Sequence, residues 1–198
     1  MVARIAKFSD DQLIEAARQL ILEGGPGAAT VNAIASRVGA PVGSVYHRFR
    51  SRELILAHVL LDAVAAFQEP YLEFASRPEA TPGGIAAHFI EWVVAHPEDA
   101  KLLALYRRSE FLSGAVPEEL RARAERLQTE IYEWMRLLCR RWFGRVSQRA
   151  EDAVRLALLE IPYGAVRGRL GRSERFPEDL ARLVAAAADA VIASAKEK

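Results

Sequence analysis

The stretch TVNAIASRVGAPVGSVYHRFRSREL, Thr30 to Leu54, decides the fold of this chain. It holds two short apolar patterns at helical spacing, Ile34 to Val38 and Val45 to Phe49. A break at Gly39-Ala40-Pro41 separates them, because glycine ends helices and proline restricts the residue before it. The stretch therefore predicts two short helices joined by a sharp turn.

Helix, short turn and helix is the arrangement of a helix-turn-helix, whose second helix enters the DNA major groove. The positions of that helix predicted to face outward include groups that hydrogen-bond to bases and phosphates. They are Val42, Gly43, Ser44, Tyr46 and His47. An ordinary packed corner between two helices is the alternative, since short glycine-containing helix corners are common.

Composition narrows the class of protein. The chain has 198 residues, of which 51% are hydrophobic and 27% charged, as in a folded protein of one or two domains. No apolar run reaches the roughly 18 residues that span a bilayer, and the N-terminus lacks a signal peptide's apolar segment. We therefore expect a cytoplasmic protein. The single cysteine, Cys139, excludes an intramolecular disulfide, and neither a metal nor a cofactor is expected.

Charge is unevenly divided along the chain. Residues 1–52 carry seven basic and four acidic residues, a net of +3. Residues 53–198 carry twenty basic and twenty-two acidic residues, a net of −2. A basic N-terminal part indicates an anionic partner for it.

The remaining sequence has helical spacing throughout and no sustained strand-type alternation, so we expect an all-α fold of about nine helices. A break is expected at Gly114-Ala115-Val116 and a kink or loosened turn at Pro162. The expected helices begin near Ser9, Thr30, Val42 or Gly43, Ser51, Thr81, Glu98, Pro117, Ser147 and Pro177.

Several residues in the opening stretch fall in register with one known pattern. They are Thr30, Ile34-Ala35, Gly39, Gly43-Ser44, Tyr46, Phe49 and Glu53-Leu54. On these residues the chain resembles the TetR family of bacterial transcriptional regulators over residues 9–56. The resemblance implies an N-terminal three-helix DNA-binding domain, residues 1–52. It also implies a helical effector-binding and dimerisation domain, residues 53–198.

Carried over position by position, the resemblance implies a set of DNA contacts. Thr30 and Tyr46 would hold phosphates, as would Arg52, which replaces the family's usual lysine. Base contacts would concentrate at the start of the second helix of the motif. His47-Arg48 departs from the family's order, so which of the two reads bases stays open. The complete set is Thr30, Asn32, Val42, Gly43, Ser44, Tyr46, His47, Arg48 and Arg52.

For the second domain the resemblance implies a homodimer through the last two long helices, a palindromic double-stranded DNA operator and a small-molecule effector. Candidates for lining an effector cavity are His88, Trp92, Tyr106, Phe111, Tyr132, Met135 and also Trp134. Large aromatic residues at helical spacing are also ordinary core. A set of eight arginines suits either an acidic effector, such as a coenzyme A ester, or a solvated surface. They are Arg107, Arg108, Arg136, Arg140, Arg141, Arg145, Arg167 and Arg169. Cys139 is expected to be a buried small residue, with redox sensing as the alternative.

Three classes of function remain. A ligand-responsive repressor is favoured. An enzyme is disfavoured, because the four histidines lie on separate predicted helices and no catalytic motif is present. A helical interaction module that binds protein or membrane instead of DNA would show no DNA affinity.

Overall fold

A computed structural model of the chain describes residues 8–112 and 117–196. The all-α prediction is confirmed, and within these residues there is no strand. The chain divides into two compact units. The first unit comes from Met1–Ala63 and Tyr106–Ala124, and the second from Val64–Leu105 and Glu125–Lys198. The break expected at residues 114–116 lies outside the described residues.

Helices account for nearly all of the described chain. A 3₁₀ turn, Pro26–Ala28, precedes the second α-helix, and a π-helical turn, Leu156–Glu160, joins the ninth to the tenth. The short helix at residues 108–111 was not predicted, because one turn carries no periodic pattern. The α-helices are α1 (Asp10–Gly24), α2 (Val31–Val38), α3 (Val42–Arg48), α4 (Arg52–Ser76), α5 (Pro82–Ala95), α6 (Pro97–Leu105), α7 (Arg108–Phe111), α8 (Glu118–Phe143), α9 (Gln148–Arg155), α10 (Ile161–Arg172) and α11 (Leu180–Lys196).

The first unit begins with a well-capped helix. Ser9 Oγ accepts a hydrogen bond from Gln12 N at 3.2 Å, and the Gln12 side chain accepts one from Ser9 N at 2.9 Å. This reciprocal pair satisfies two backbone donors that the helix itself leaves free. The apolar face of α1, with Leu13, Ala17 and Ile21, is buried. The first helix therefore forms as the sequence predicts.

In the second unit, α5 lies very close to α11. Thr81 Oγ1 accepts from Gly84 N at 3.0 Å, and Asp189 Oδ1 of α11 accepts from Gly83 N at 2.7 Å. A Cβ at Gly83 would collide with the Asp189 carboxylate and come within 2.9 Å of the Ala185 carbonyl oxygen. The glycine is thus required for this close approach of α5 and α11. The Asp189 carboxylate also lies at the N-terminus of α5, where the helix dipole stabilises a negative charge.

The expected loosening at Pro162 takes the form of the π-helical turn just before it. Proline has no N–H, so the Leu158 carbonyl loses its usual helical donor. The Tyr71 hydroxyl, on α4, donates to that carbonyl at 2.7 Å, while Ile161 N donates five residues back to Leu156 O. Tyr71 is fully buried, and burial raises the pKa of its hydroxyl. The aromatic core of the second unit packs around this tyrosine, including Phe67, Phe89 and Trp134.

Candidate functional site

The turn between α2 and α3 is fixed by its backbone. Gly39 has a left-handed conformation, φ 69°, which favours glycine. Ala40 N donates to Ala35 O at 2.9 Å, and Ser44 N donates to Pro41 O at 2.9 Å at the start of α3. The inner faces of both helices are buried, with Ile34 0%, Val45 1% and Phe49 6% exposed. The two helices are therefore held by a shared core and a specific turn.

The outer face of these two helices carries most of the predicted DNA contacts. Tyr46 is 54% exposed and Val42 38%, although both are large hydrophobic residues. Thr30 caps α2, since its Oγ1 accepts from Ala33 N at 3.1 Å, and it too is exposed. We call this face the α2–α3 surface; it consists of Thr30, Asn32, Val42, Gly43, Ser44, Tyr46 and His47, all exposed except the half-buried Ser44.

Gly43 is the residue of this surface that the fold itself explains least. It lies in the first turn of α3, and its φ is not positive. A Cβ built there would meet nothing within 4 Å. Glycine in a helix costs about 1 kcal/mol relative to alanine. Neither local packing nor backbone conformation requires a glycine at this position. The absence of a side chain would instead allow another molecule to approach the backbone closely.

Arg48 and Arg52 have partners inside the first unit. The Arg48 guanidinium forms a short ion pair with Asp10 in the first turn of α1. Arg52 Nε donates to the Ala29 carbonyl at 2.8 Å, and its Nη2 donates to the Pro26 carbonyl. Both carbonyls belong to the segment that leads into α2. These arginines therefore brace the start of α2 and the end of α3.

A third arginine brace was not predicted. Arg37 of α2 makes two hydrogen bonds, of 2.7 and 2.6 Å, to the carboxylate of Glu23 on α1. The pairing lowers the pKa of Glu23 and raises that of Arg37, chiefly through the hydrogen bonds. The partners are 14 residues apart, beyond the reach of any local sequence signal.

An apolar cavity of about 410 Å³ lies in the second unit. Of the predicted ligand residues, Trp92 lines it. The lining residues come from α4, α5, α6, α9, the π-helical turn and α10. They are Val64, Phe67, Phe89, Trp92, Val93, Ala100, Leu103, Ala104, Arg155, Leu159, Glu160, Tyr163, Val166 and Leu170.

The other predicted ligand residues lie elsewhere. Tyr106 and Phe111 belong to the first unit, where the Tyr106 hydroxyl donates to Ile21 O at 3.1 Å. Tyr132 is 54% exposed on α8, and Met135 packs partly buried against the core. His88 stacks on Phe74 at 4.3 Å. The aromatic pattern thus predicted one wall residue of the cavity, because periodicity marks a buried face but not the empty space beside it.

His88 Nε2 and Trp134 Nε1 are buried and, among the described residues, have no hydrogen-bond partner. Cys139 is fully buried on α8. Burial, with the Glu151 charge adding to it, raises the pKa of the Cys139 thiol. The reactive thiolate is therefore disfavoured at neutral pH.

The last two helices present both buried and exposed apolar residues. On α11, Val184, Ala188 and Ile192 are buried within the second unit, while Leu183 is 50% exposed. Leu156, at the start of the π-helical turn, is 40% exposed. Part of the expected dimerisation face thus fills the core, and part remains on the surface of the single chain.

In residues 8–112 and 117–196, none of the helices is long and apolar enough to cross a membrane. Within the same residues, no group of three or more His, Cys, Asp or Glu side chains is placed to hold a metal ion.

Residues 13–59 match the family model for bacterial regulatory proteins of the tetR family. Solved structures share the fold at low identity. The transcriptional regulator FadR from Bacillus subtilis, in complex with stearoyl-CoA, is 19% identical with a TM-score of 0.66, over 93% of this chain and 98% of that one. The fatty acid degradation regulator FadR from Bacillus halodurans is 19% identical with a TM-score of 0.64, over 93% and 98%.

A TetR-like transcriptional regulator from Rhodococcus sp. RHA1 is 16% identical with a TM-score of 0.64, over 95% of this chain and 96% of that one. At these identities the likeness concerns the fold. No curated protein matches the sequence.

Proposed function

We propose that the chain is a DNA-binding transcriptional regulator of the tetR family, and that it is a repressor released from its operator by a small molecule. Two copies would bind a palindromic operator, and an effector in the second unit would end that binding. Such a regulator acts on the bacterial chromosome, so we place it in the cytoplasm.

The observation that carries DNA binding is the α2–α3 surface. It offers a phenol, an imidazole and small hydroxyls on two braced helices, with Gly43 open to close approach. A major groove admits one α-helix, and these groups suit phosphates and base edges. Tyr46 and Thr30 would hold phosphates, while the start of α3 and His47 would read bases.

The contacts of Arg48 favour His47 over Arg48 as the residue that reads bases. Its guanidinium is paired with Asp10, whereas His47 is exposed. We assign base reading to His47 and positioning of α3 to Arg48. Arg52 is assigned the same kind of role for the segment before α2, because its nitrogens face the Ala29 and Pro26 carbonyls.

A palindromic operator needs two reading helices about 34–36 Å apart, hence a symmetric dimer. The proposed dimer surface comprises the exposed parts of α9 to α11, including Leu156 and Leu183. Their exposure, 40% and 50%, supports it, since a dimer would remove this apolar surface from water.

The effector site would be the apolar cavity of the second unit. It has the size and the mostly apolar wall of small-molecule sites. The Bacillus subtilis FadR structure holds stearoyl-CoA in a protein of the same fold, which supports a ligand role for this unit. Effector and DNA would weaken each other's binding by the same factor.

Tyr46 and Tyr132 make a matched test, because both are 54% exposed and lie in different units. Fluorescence anisotropy measures the affinity for the DNA upstream of the protein's own gene and for a shuffled duplex. Wild type should prefer the upstream DNA and lose affinity steeply between about 50 and 200 mM salt. Tyr46→Ala should bind the upstream DNA at least about tenfold more weakly, because it removes a phosphate contact. Tyr132→Ala should bind this DNA with wild-type affinity.

Equal affinity for both duplexes, or equal loss in both variants, contradicts the proposal. An interaction module would bind neither duplex at any salt concentration. An enzyme would be identified by turnover of a substrate in the absence of DNA.

A further inference from the structure

The wall of the cavity is almost entirely hydrocarbon. Of its fourteen residues, all but Arg155 and Glu160 have aliphatic or aromatic side chains, and among the aromatic ones Tyr163 carries a hydroxyl. These three are also exposed to solvent, whereas Phe89, Trp92 and most of the α6 and α10 residues are buried. The polar residues therefore mark where the cavity opens, and its interior offers burial of apolar surface and little else.

Each polar group at this opening already has a partner in the second unit. The Tyr163 hydroxyl donates to Ala104 O at 3.0 Å. Arg155 Nη2 lies 2.6 Å from Asp152 Oδ1, and Arg155 Nε lies 3.1 Å from Glu160 Oε1. One guanidinium thus faces two carboxylates, of which Glu160 belongs to the cavity wall, so Arg155 is already paired.

The pairing of Arg155 with carboxylates disfavours an anionic ligand. A carboxylate or phosphate at the opening would compete with Asp152 and Glu160 for Arg155 and would be repelled by both. Deeper in the cavity, any charge would lose its hydration without gaining a partner. An uncharged ligand avoids both costs.

Resting on the proposed effector role of this cavity, we infer that its ligand is an uncharged, mainly apolar small molecule and that the paired charges of Arg155 and Glu160 at the opening select against anionic amphiphiles. The volume of about 410 Å³ is about 14 times the roughly 30 Å³ that one water molecule occupies in the liquid, so it suits a small ligand. Glu160 is the selecting residue, because it lines the cavity and carries one of the two carboxylates.

Three ten-carbon probes that differ only in the head group test this inference. Decan-1-ol, decanoate and decylammonium are titrated below their micelle-forming concentrations into the full chain at pH 7.5, and binding is measured by calorimetry. Decan-1-ol should bind at least about tenfold more tightly than decanoate, because the anion loses hydration and meets an arginine that is already paired with carboxylates. Equal or tighter binding of decanoate overturns the inference.

Variants that change the charge at the opening distinguish selection by these groups from simple partitioning of the probes into the apolar cavity. Glu160→Gln should strengthen decanoate binding about threefold and leave decan-1-ol unchanged, since it removes one exposed charge. Arg155→Gln should weaken decanoate binding further and strengthen decylammonium binding. Glu178→Gln, an exposed position outside the cavity wall, is the matched control and should change none of the three affinities. If decanoate binds Glu160→Gln and wild type with equal affinity, the proposed role of the opening is overturned.

Filling the cavity locates the binding. Ala104→Leu and Ala100→Leu each place a larger side chain in the wall, and circular dichroism and operator binding identify which variants are folded. A folded variant should lose decan-1-ol binding at least tenfold, and wild-type affinity there overturns the site. If no probe binds wild type while upstream DNA does, this inference fails and the DNA-binding proposal stands.

Discussion

The α2–α3 surface of the first unit and the cavity wall of the second unit relate differently to stability. Val42, Gly43, Tyr46 and His47 are exposed, and the core beneath them is complete without them. Phe89, Trp92 and Val93 line the cavity and are also core residues. Function and stability should therefore separate in the first unit and change together in the second.

The largest expected effect is at Gly83 in the second unit. Gly83→Ala puts a Cβ against Asp189 and the Ala185 carbonyl, so α5 and α11 must move apart. We expect a loss of about 3 kcal/mol in the free energy of unfolding, from overpacking. Denaturant unfolding at fixed protein concentration measures it. Gly164→Ala is the control, because a Cβ there meets nothing within 4 Å, and it should not destabilise. Equal stability of the two variants would refute the close approach.

The next effect is at Tyr71, whose hydroxyl supplies the donor that Pro162 cannot. Tyr71→Phe leaves the buried Leu158 carbonyl without its partner, which should cost about 2 kcal/mol of unfolding free energy. Tyr132→Phe, at an exposed position, should cost nothing measurable. A neutral Tyr71→Phe would mean that the π-helical turn does not depend on this hydrogen bond.

The pH dependence of the same residue follows from its raised pKa. Below pH 10 the hydroxyl is protonated in both the folded and the unfolded chain. Above pH 10 the unfolded chain loses this proton while the folded chain keeps it, so stability falls. Wild type should lose stability more steeply above pH 10 than Tyr71→Phe does. Parallel pH profiles would contradict the buried, neutral tyrosine.

A smaller effect is expected at the Arg48–Asp10 pair. Arg48→Gln should lower the free energy of unfolding by about 0.5–1 kcal/mol, as for a partly exposed ion pair. It should weaken binding to all DNA sequences alike, because it only holds α3 in place. His47→Ala should instead change which bases are preferred, with little loss of stability. Selection of binding sites from a random DNA pool distinguishes the two, and altered base preference in Arg48→Gln would reverse the assignment.

The sequence predicted the first three helices well because their signals are local. Ser9 and Thr30 cap helices within three residues, and Gly39 marks its own turn. The braces were not predictable, because Arg48 and Asp10 are 38 residues apart and Tyr71 and Leu158 are 87 apart. No pattern within one helix encodes such pairs.

The cavity was poorly predicted for a related reason. Tyr106, Phe111 and Trp92 carry similar aromatic signals, yet only Trp92 lines the cavity described in the second unit. Helical spacing identifies an inward face without saying which neighbours leave space. The small residues Ala100 and Ala104, which help to create that space, carry no signal of their own.

Gly43→Ala tests most directly the claim that the α2–α3 surface is shaped for DNA. The free energy of unfolding and the affinity for upstream DNA are measured on the same preparation. We expect stability to rise by up to about 1 kcal/mol, since alanine favours a helix and a Cβ at this position is unobstructed. Affinity for the upstream DNA should fall at least about tenfold, because the added methyl group meets the approaching duplex. Unchanged affinity, or a loss of stability together with affinity, would contradict the account.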